Sequence, residues 1–203
     1  CEETETVVCM HIGSSSKRYT MSDESPMMVT MSWAPPLMIA GAMIEWIFSP
    51  VVRKFPGIKV ALAEGGIGWM PFFLEKCAQI VDKHRFWIAG GDVRHDSLTG
   101  KVEVMEEGAV DLDHFSVIET FRRNIFGCFI EDIHGVQNLD AIGVDNVMIE
   151  TDYPHSDSTW PNCLEHAQKQ LAGLSSEDRH KIMRGNAERV FRFTPADPPP
   201  ERR

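Results

Sequence analysis

The stretch Val147-Met148-Ile149-Glu150-Thr151-Asp152-Tyr153-Pro154-His155 passes from three apolar residues straight into acidic and aromatic ones. A short apolar run with polar punctuation reads as a strand buried on both faces. Three runs upstream share this form. Thr6 to Met10 ends at His11-Ile12-Gly13, Ile58 to Ala63 ends at Glu64-Gly65-Gly66, and Ile125 to Ile130 ends at Glu131-Asp132. Helical patterns follow the strands. Met70, Phe73, Leu74, Cys77, Ala78 and Val81 repeat at three and four, with Pro71 in the first turn. Trp160, Leu164, Ala167 and Leu171 repeat likewise, with Ser158 or Thr159 as cap and Gly173 as stop. Ser175 and Asp178 have the spacing of a capping box and open a last helix through Ile182, Ala187 and Val190. Val136 to Ile142 reads as a short helix stopped by Gly143, and Leu37 to Phe48 as another opened by Pro35-Pro36. Strand–helix alternation of this kind predicts an α/β fold with parallel strands.

Two stretches lack a clear period, Lys17 to Trp33 and Arg94 to Glu119. Both read as surface excursions between β/α units, where substrate-contacting loops are usually found. The run Pro198-Pro199-Pro200 starts a tail, so the expected organisation is one folded unit over residues 1–193 and a proline-rich tail over 194–203.

Composition narrows the function. Of 203 residues, 43% are hydrophobic and 25% charged, enough for a core and unlike a disordered chain. Twenty basic residues against thirty acidic ones give a net charge of −10, which argues against nucleic acid as a partner. The best apolar run, Leu37 to Phe48, includes Glu45 and is too short to cross a bilayer. No charged leader with an apolar stretch opens the chain, so a cytoplasmic location with no membrane partner is expected. Cys1, Cys9, Cys77, Cys128 and Cys163 are scattered and form no C-x-x-C pair, so neither a zinc knuckle nor a disulfide framework is signalled. Glu64-Gly65-Gly66-Ile67-Gly68 lacks the spacing of a dinucleotide-binding turn, and its glycines suit a tight strand-to-helix turn.

His11, Glu64, Glu131 with Asp132, and Asp152 with His155 gather at the C-terminal ends of the proposed strands. Active sites of parallel β/α folds are built on that edge. A histidine on one strand end and an aspartate on another suit two metal ligands on one rim. Each residue also has a plainer reading. His11 suits a hydrogen-bonded structural histidine, Asp152 a turn former, and Glu131 and Asp132 helix caps. Trp69 and Trp160 suit either the wall of an apolar pocket or core packing.

Taken with its flanks, Val147 to Pro161 resembles the last-strand motif of the amidohydrolase-related family, which includes aminocarboxymuconate-semialdehyde decarboxylase. Other segments match in order. Cys9 to Ser14 resembles the family's fifth strand, Phe55 to Trp69 its sixth, Phe121 to Asp132 its seventh, and Arg184 to Phe191 its closing helix. The resemblance implies the C-terminal half, about four β/α units, of a TIM-like (β/α)₈ barrel with a divalent metal, zinc or manganese, at its mouth. It implies His11 and Asp152 as metal ligands, with Asp152 also the acid/base group. Glu64 stands where many members carry a histidine; a carboxylate there can accept a proton or bind metal. His155 is placed to approach the substrate or to support a ligand. The family's first-strand ligand pair has no counterpart near the start of this chain. His84 and His95 fall in a helix end and a surface loop and are poor substitutes.

The implied activity is hydrolysis or non-oxidative decarboxylation of a small organic or aromatic acid or carbonyl compound, by a truncated copy lacking the first-strand ligands. The alternative is a catalytically inactive half-barrel acting as an oligomerisation or interaction module, its open edges inviting a second copy.

Overall fold

The computed structural model describes residues 1–13, 20, 22–88, 92–95, 99–105 and 114–196. Four parallel strands form its central sheet: β1 (Val8–His11), β2 (Val60–Ala63), β5 (Ile125–Phe129) and β6 (Val147–Ile149), in the order β1-β2-β5-β6. All four fall on the predicted apolar runs. Register pairs His11 with Ala63, Leu62 with Gly127, and Phe129 with Ile149, so the strands end nearly level. A level edge of parallel strands carries all four tips to one side of the sheet.

Alternation along the strands divides the core in two. Val60, Leu62, Ile125, Phe129 and Val147 pack against the helical layer, where Ile39, Met43, Met70, Leu74 and Phe121 are buried. Ala61, Phe126, Cys128 and Met148 line the opposite face, covered at one end by Val190 and Ala187. The helical layer presses hard on β5. A Cβ at Gly127 would sit 2.5 Å from Met70 Cε and 2.8 Å from Ile67 Cγ2, so a larger residue there would have to displace both side chains.

The feet of the strands are tied by three buried asparagines. Asn124 Nδ2 donates to the carbonyls of Pro56 (3.0 Å) and Ile58 (2.7 Å), ahead of β2. Asn146 does the same to Arg122 (2.9 Å) and Ile125 (2.8 Å) at the foot of β5. Asn186 reaches Val144 and Val147, both at 2.8 Å, at the foot of β6. Their exposures are 0%, 4% and 1%. Burial of a polar amide is tolerated because its donors are satisfied.

The helices are α1 (Met27–Phe48), α2 (Pro50–Lys54), α3 (Met70–Ile88), α4 (Val117–Asn124), α5 (Ile133–Gln137), α6 (Leu139–Ile142), α7 (Cys163–Gln170), α8 (Ser176–His180) and α9 (Asn186–Phe191), with a π-turn over Lys181–Gly185. Ser175 caps α8 as predicted: its hydroxyl accepts from Asp178 N–H and donates to Asp178 Oδ2.

Four details correct the sequence reading. First, α1 starts at Met27 rather than after the prolines, and Pro35 and Pro36 lie inside it. The carbonyls these prolines cannot pair belong to Met31 and Ser32, which are exposed, so water can take them. Second, α1 therefore contains an apolar window of mean hydropathy 1.4, long enough by length and composition to cross a membrane, although the sequence reading found no such run. Its Ile39, Met43 and Ile47 belong to the main core. Third, an antiparallel hairpin of β3 (Asp92–His95) and β4 (Val102–Met105) occupies part of the segment read as an aperiodic excursion; His95 ends a strand. Fourth, α7 starts at Cys163 and leaves Trp160 outside it, 59% exposed; Leu164 is exposed too, and only Ala167 and Leu171 of that stripe are buried. Residues 17–19, 21, 96–98 and 106–113 of the two aperiodic stretches, and 197–203 of the tail, lie outside the described residues.

Candidate metal centre

The strand tips bring all four singled-out site residues together. His11 closes β1, and its Nε2 lies 2.8 Å from Glu64 Oε1. Its Nδ1 is 2.5 Å from the carbonyl oxygen of Ile12. The bond to Ile12, reinforced by the Glu64 carboxylate, holds the imidazole above the ordinary histidine pKa.

Glu64 follows β2 directly and Asp152 follows β6 by three residues. Both have left-handed backbone, φ 61° and 51°. Residues with a Cβ rarely adopt that conformation, and it costs about 1–3 kcal/mol when they do. Gly66, two residues on, is also left-handed at φ 66°, and completes the turn into α3.

Asp152 is nearly buried, its side chain 7% exposed, and its Oδ1 lies 2.9 Å from His155 Nδ1. The His155 N–H donates to the Asp152 carbonyl at 2.8 Å, closing the turn that brings the imidazole back. Ligand atoms of Glu64, Asp152 and His155 all lie within 4.8 Å of one another. Two carboxylates and an imidazole are a mixed oxygen and nitrogen donor set that suits a divalent first-row ion. The residues present therefore fit a metal. His11 stands beside this trio through its bond to Glu64 rather than inside it. His84 is exposed on α3 and takes no part in the donor group.

Glu150 was not singled out from sequence, yet it underlies the site. Its Oε1 accepts the Glu64 N–H at 2.6 Å. Burial pushes its carboxyl up to about 7, against the opposing effect of that hydrogen bond. A usable signal was its place, a lone carboxylate one residue past the apolar run of β6.

Asp132 proves to be a cap, as its plainer reading held, and more than one. Oδ1 accepts from Gly135 N–H at 2.7 Å, the cap of α5. Oδ2 accepts from Ile67 (2.7 Å) and Gly68 (2.6 Å), tying the loop after β5 to the loop after β2. Glu131 instead faces His166 Nδ1 at 3.2 Å. Trp69 is half-buried, and its Nε1 donates to the Gly65 carbonyl at 2.7 Å.

Beside the trio opens a cleft of about 620 Å³, which Glu64 shares. Its rim is the loop Ser156 to Trp160, with Glu131 and His166 opposite. The loop is pinned by Ser158, whose hydroxyl donates to the Thr151 carbonyl at 2.6 Å and accepts from Trp160 N–H at 3.2 Å.

Comparison with known proteins gives the family and the fold. A family model described as Amidohydrolase matches residues 1–193. No curated protein matches the chain. Among solved structures, 5-carboxyvanillate decarboxylase from Sphingomonas paucimobilis is similar at TM-score 0.63 and 18% identity, over 95% of this chain and 51% of that one. Dihydroxybenzoic acid decarboxylase from Polaromonas sp., solved with bound manganese and the inhibitor 2-nitroresorcinol, is similar at TM-score 0.59 and 17% identity, over 97% and 52%. An amidohydrolase from Mycobacterium avium subsp. paratuberculosis is similar at TM-score 0.66 and 19% identity, over 94% and 43%. At these identities the likeness is one of fold. The chain spans about half the length of these structures, and its four parallel strands are a half-barrel.

Proposed function

The chain belongs to the amidohydrolase family, and on that premise we propose that it forms half of the metal site of a carboxy-lyase or hydrolase acting on a small organic or aromatic acid. The observation that carries this reading is the convergence of Glu64, Asp152 and His155 donors within 4.8 Å at the strand tips, beside an open cleft. Asp152, Glu64 and His155 would hold a manganese or zinc ion, with His11 beside them bonded to Glu64. When bound, such an ion supplies a Lewis acid that stabilises negative charge developing on oxygen.

The residues of the chain divide the remaining work. Asp152 is nearly buried and delivers a proton to the reacting carbon or leaving group. His155, bonded to Asp152 Oδ1, fixes the orientation of that carboxyl. His11 keeps Glu64 in place through its Nε2. In a decarboxylation the carbon–carboxylate bond breaks, carbon dioxide leaves, and the electron pair left on carbon takes the proton; no oxidant is needed. In a hydrolysis water adds to the carbonyl carbon, the bond to the leaving nitrogen or oxygen breaks, and the same proton goes to that leaving atom. The decarboxylases among the structural neighbours favour the first. The outer strands β1 and β6 each have one partner among the described residues, and pairing of these edges with further barrel strands or a second copy belongs to this proposal.

Equilibrium dialysis against manganese and zinc tests the reading. We expect roughly one ion per chain, lost in Asp152→Asn. Equal, substoichiometric uptake by both proteins would overturn it. Carbon dioxide release from carboxylated aromatics, without amide or ester cleavage, separates lyase from hydrolase.

A further inference from the structure

Trp160 and Tyr153 are 59% and 61% exposed, although each side chain is large and apolar enough to be worth burying. Their ring centroids are 5.0 Å apart with planes inclined at 55°, so Tyr153 backs Trp160 while Trp160 lines the cleft. The pair is held in position, because Ser158 fixes the Trp160 backbone to the loop that also carries Asp152 and His155. An aromatic surface fixed at the rim of a cleft is suited to stacking a planar ring.

Charge restricts which ring. The cleft contains the carboxylates of Glu64, Glu131 and Asp157 and the imidazole of His166, and no lysine or arginine among its described lining residues. An anionic group placed there meets carboxylates without a lysine or arginine to compensate. A hydroxyl placed there finds acceptors.

We propose that Trp160, backed by Tyr153, is the ring-binding and specificity-determining element of this site, and that the cleft selects a phenolic ring over one bearing a second carboxylate. The substrate carboxylate lies towards the Asp152 end, and the hydroxyl-bearing edge of the ring lies in the cleft against Glu131 and Asp157. This rests on the metal-site reading only for the carboxylate. The stacking of the ring does not need it.

Two calorimetric titrations keep the claims separate. Phenol, titrated into metal-free protein, tests Trp160 alone. Trp160→Ala should weaken its binding roughly tenfold, and Trp160→Phe should restore most of it. Unchanged phenol affinity in Trp160→Ala would overturn the ring-binding role, whatever the metal result. 3-Hydroxybenzoate and isophthalate, titrated into manganese-loaded protein, differ only in the group that enters the cleft. The hydroxyl compound should bind at least about tenfold more tightly, and Glu131→Gln with Asp157→Asn should narrow that gap. Isophthalate binding as well as 3-hydroxybenzoate in the wild type would overturn the selectivity. If manganese does not load, the metal reading fails while the phenol titration still decides the role of Trp160.

Discussion

At the feet of the strands, Asn124, Asn146 and Asn186 are buried with their donors paired to neighbouring carbonyls. At the tips, Glu64 and Asp152 stand in left-handed backbone, and Glu150 is pushed towards neutrality by its own burial. The same four strands thus end in satisfied amides on one side and in crowded, strained carboxylates on the other. In a parallel β/α fold the two ends answer to different demands, stability below and chemistry above. The difference teaches where a substitution should be felt: losses at the feet should appear in folding, and losses at the tips in ligand binding and turnover.

The sharpest test is Asp152→Asn. We expect turnover to fall by about 10²–10⁴, the usual scale of an acid/base group, while thermal unfolding of the metal-free protein stays within a few degrees of wild type. A large loss of stability would place Asp152 among the structural residues and break the contrast. Asn124→Ala should do the reverse. It leaves the buried Ile58 carbonyl unpaired, at a cost of about 2–3 kcal/mol, or roughly 5–10 °C in a chain of this size. Metal uptake measured below the transition should be retained.

Smaller effects sharpen the picture at the tips. Glu150 binds its proton more tightly folded than unfolded, its carboxyl rising from 4.5 to about 7. Folding is therefore favoured below the unfolded value and loses that contribution as pH rises from about 4.5 to 7. Glu150→Gln should flatten this decline in metal-free protein. At neutral pH the gain should be on the order of 1 kcal/mol once solvent screening is allowed for, seen as a higher melting temperature. A steeper decline in the variant would contradict the assignment. Smallest of all, Glu64→Gly relieves left-handed strain and should raise metal-free stability by up to about 1 kcal/mol, while weakening metal uptake. A fall in stability would mean that the bond from Glu64 to His11 outweighs the strain.

The sheet was legible because its strands are short apolar runs ending in charge, a pattern that fully buried parallel strands impose. The places of His11, Glu64 and Asp152 were legible for the same reason, since each lies at or just past the end of such a run. What lies between elements was harder. Pro35-Pro36 reads as a helix start by local rules, yet α1 runs through it because Ile39, Met43 and Ile47 are anchored in the core, while Met31 and Ser32, one turn before the prolines, are exposed. Trp160 keeps helical spacing with Leu164 and Ala167, but the Ser158 hydrogen bonds hold it in the loop. The asparagines escaped notice because their partners lie 21 to 68 residues away. Even so, Asn124 and Asn146 immediately precede strands, a position where a lone amide invites inspection.

Those asparagines also define what could be exchanged between relatives by recombination. Each one closes onto the foot of the strand before it in the sheet, so the fastening of each strand lies beyond the helices that follow it. Asn124 belongs with β2, Asn146 with β5 and Asn186 with β6. A chimera cut between a strand and its following helix would inherit a socket without its plug. The transferable module runs from one pair of foot carbonyls to the asparagine that seals it, and crossovers placed just after those asparagines are the ones that should yield folded hybrids.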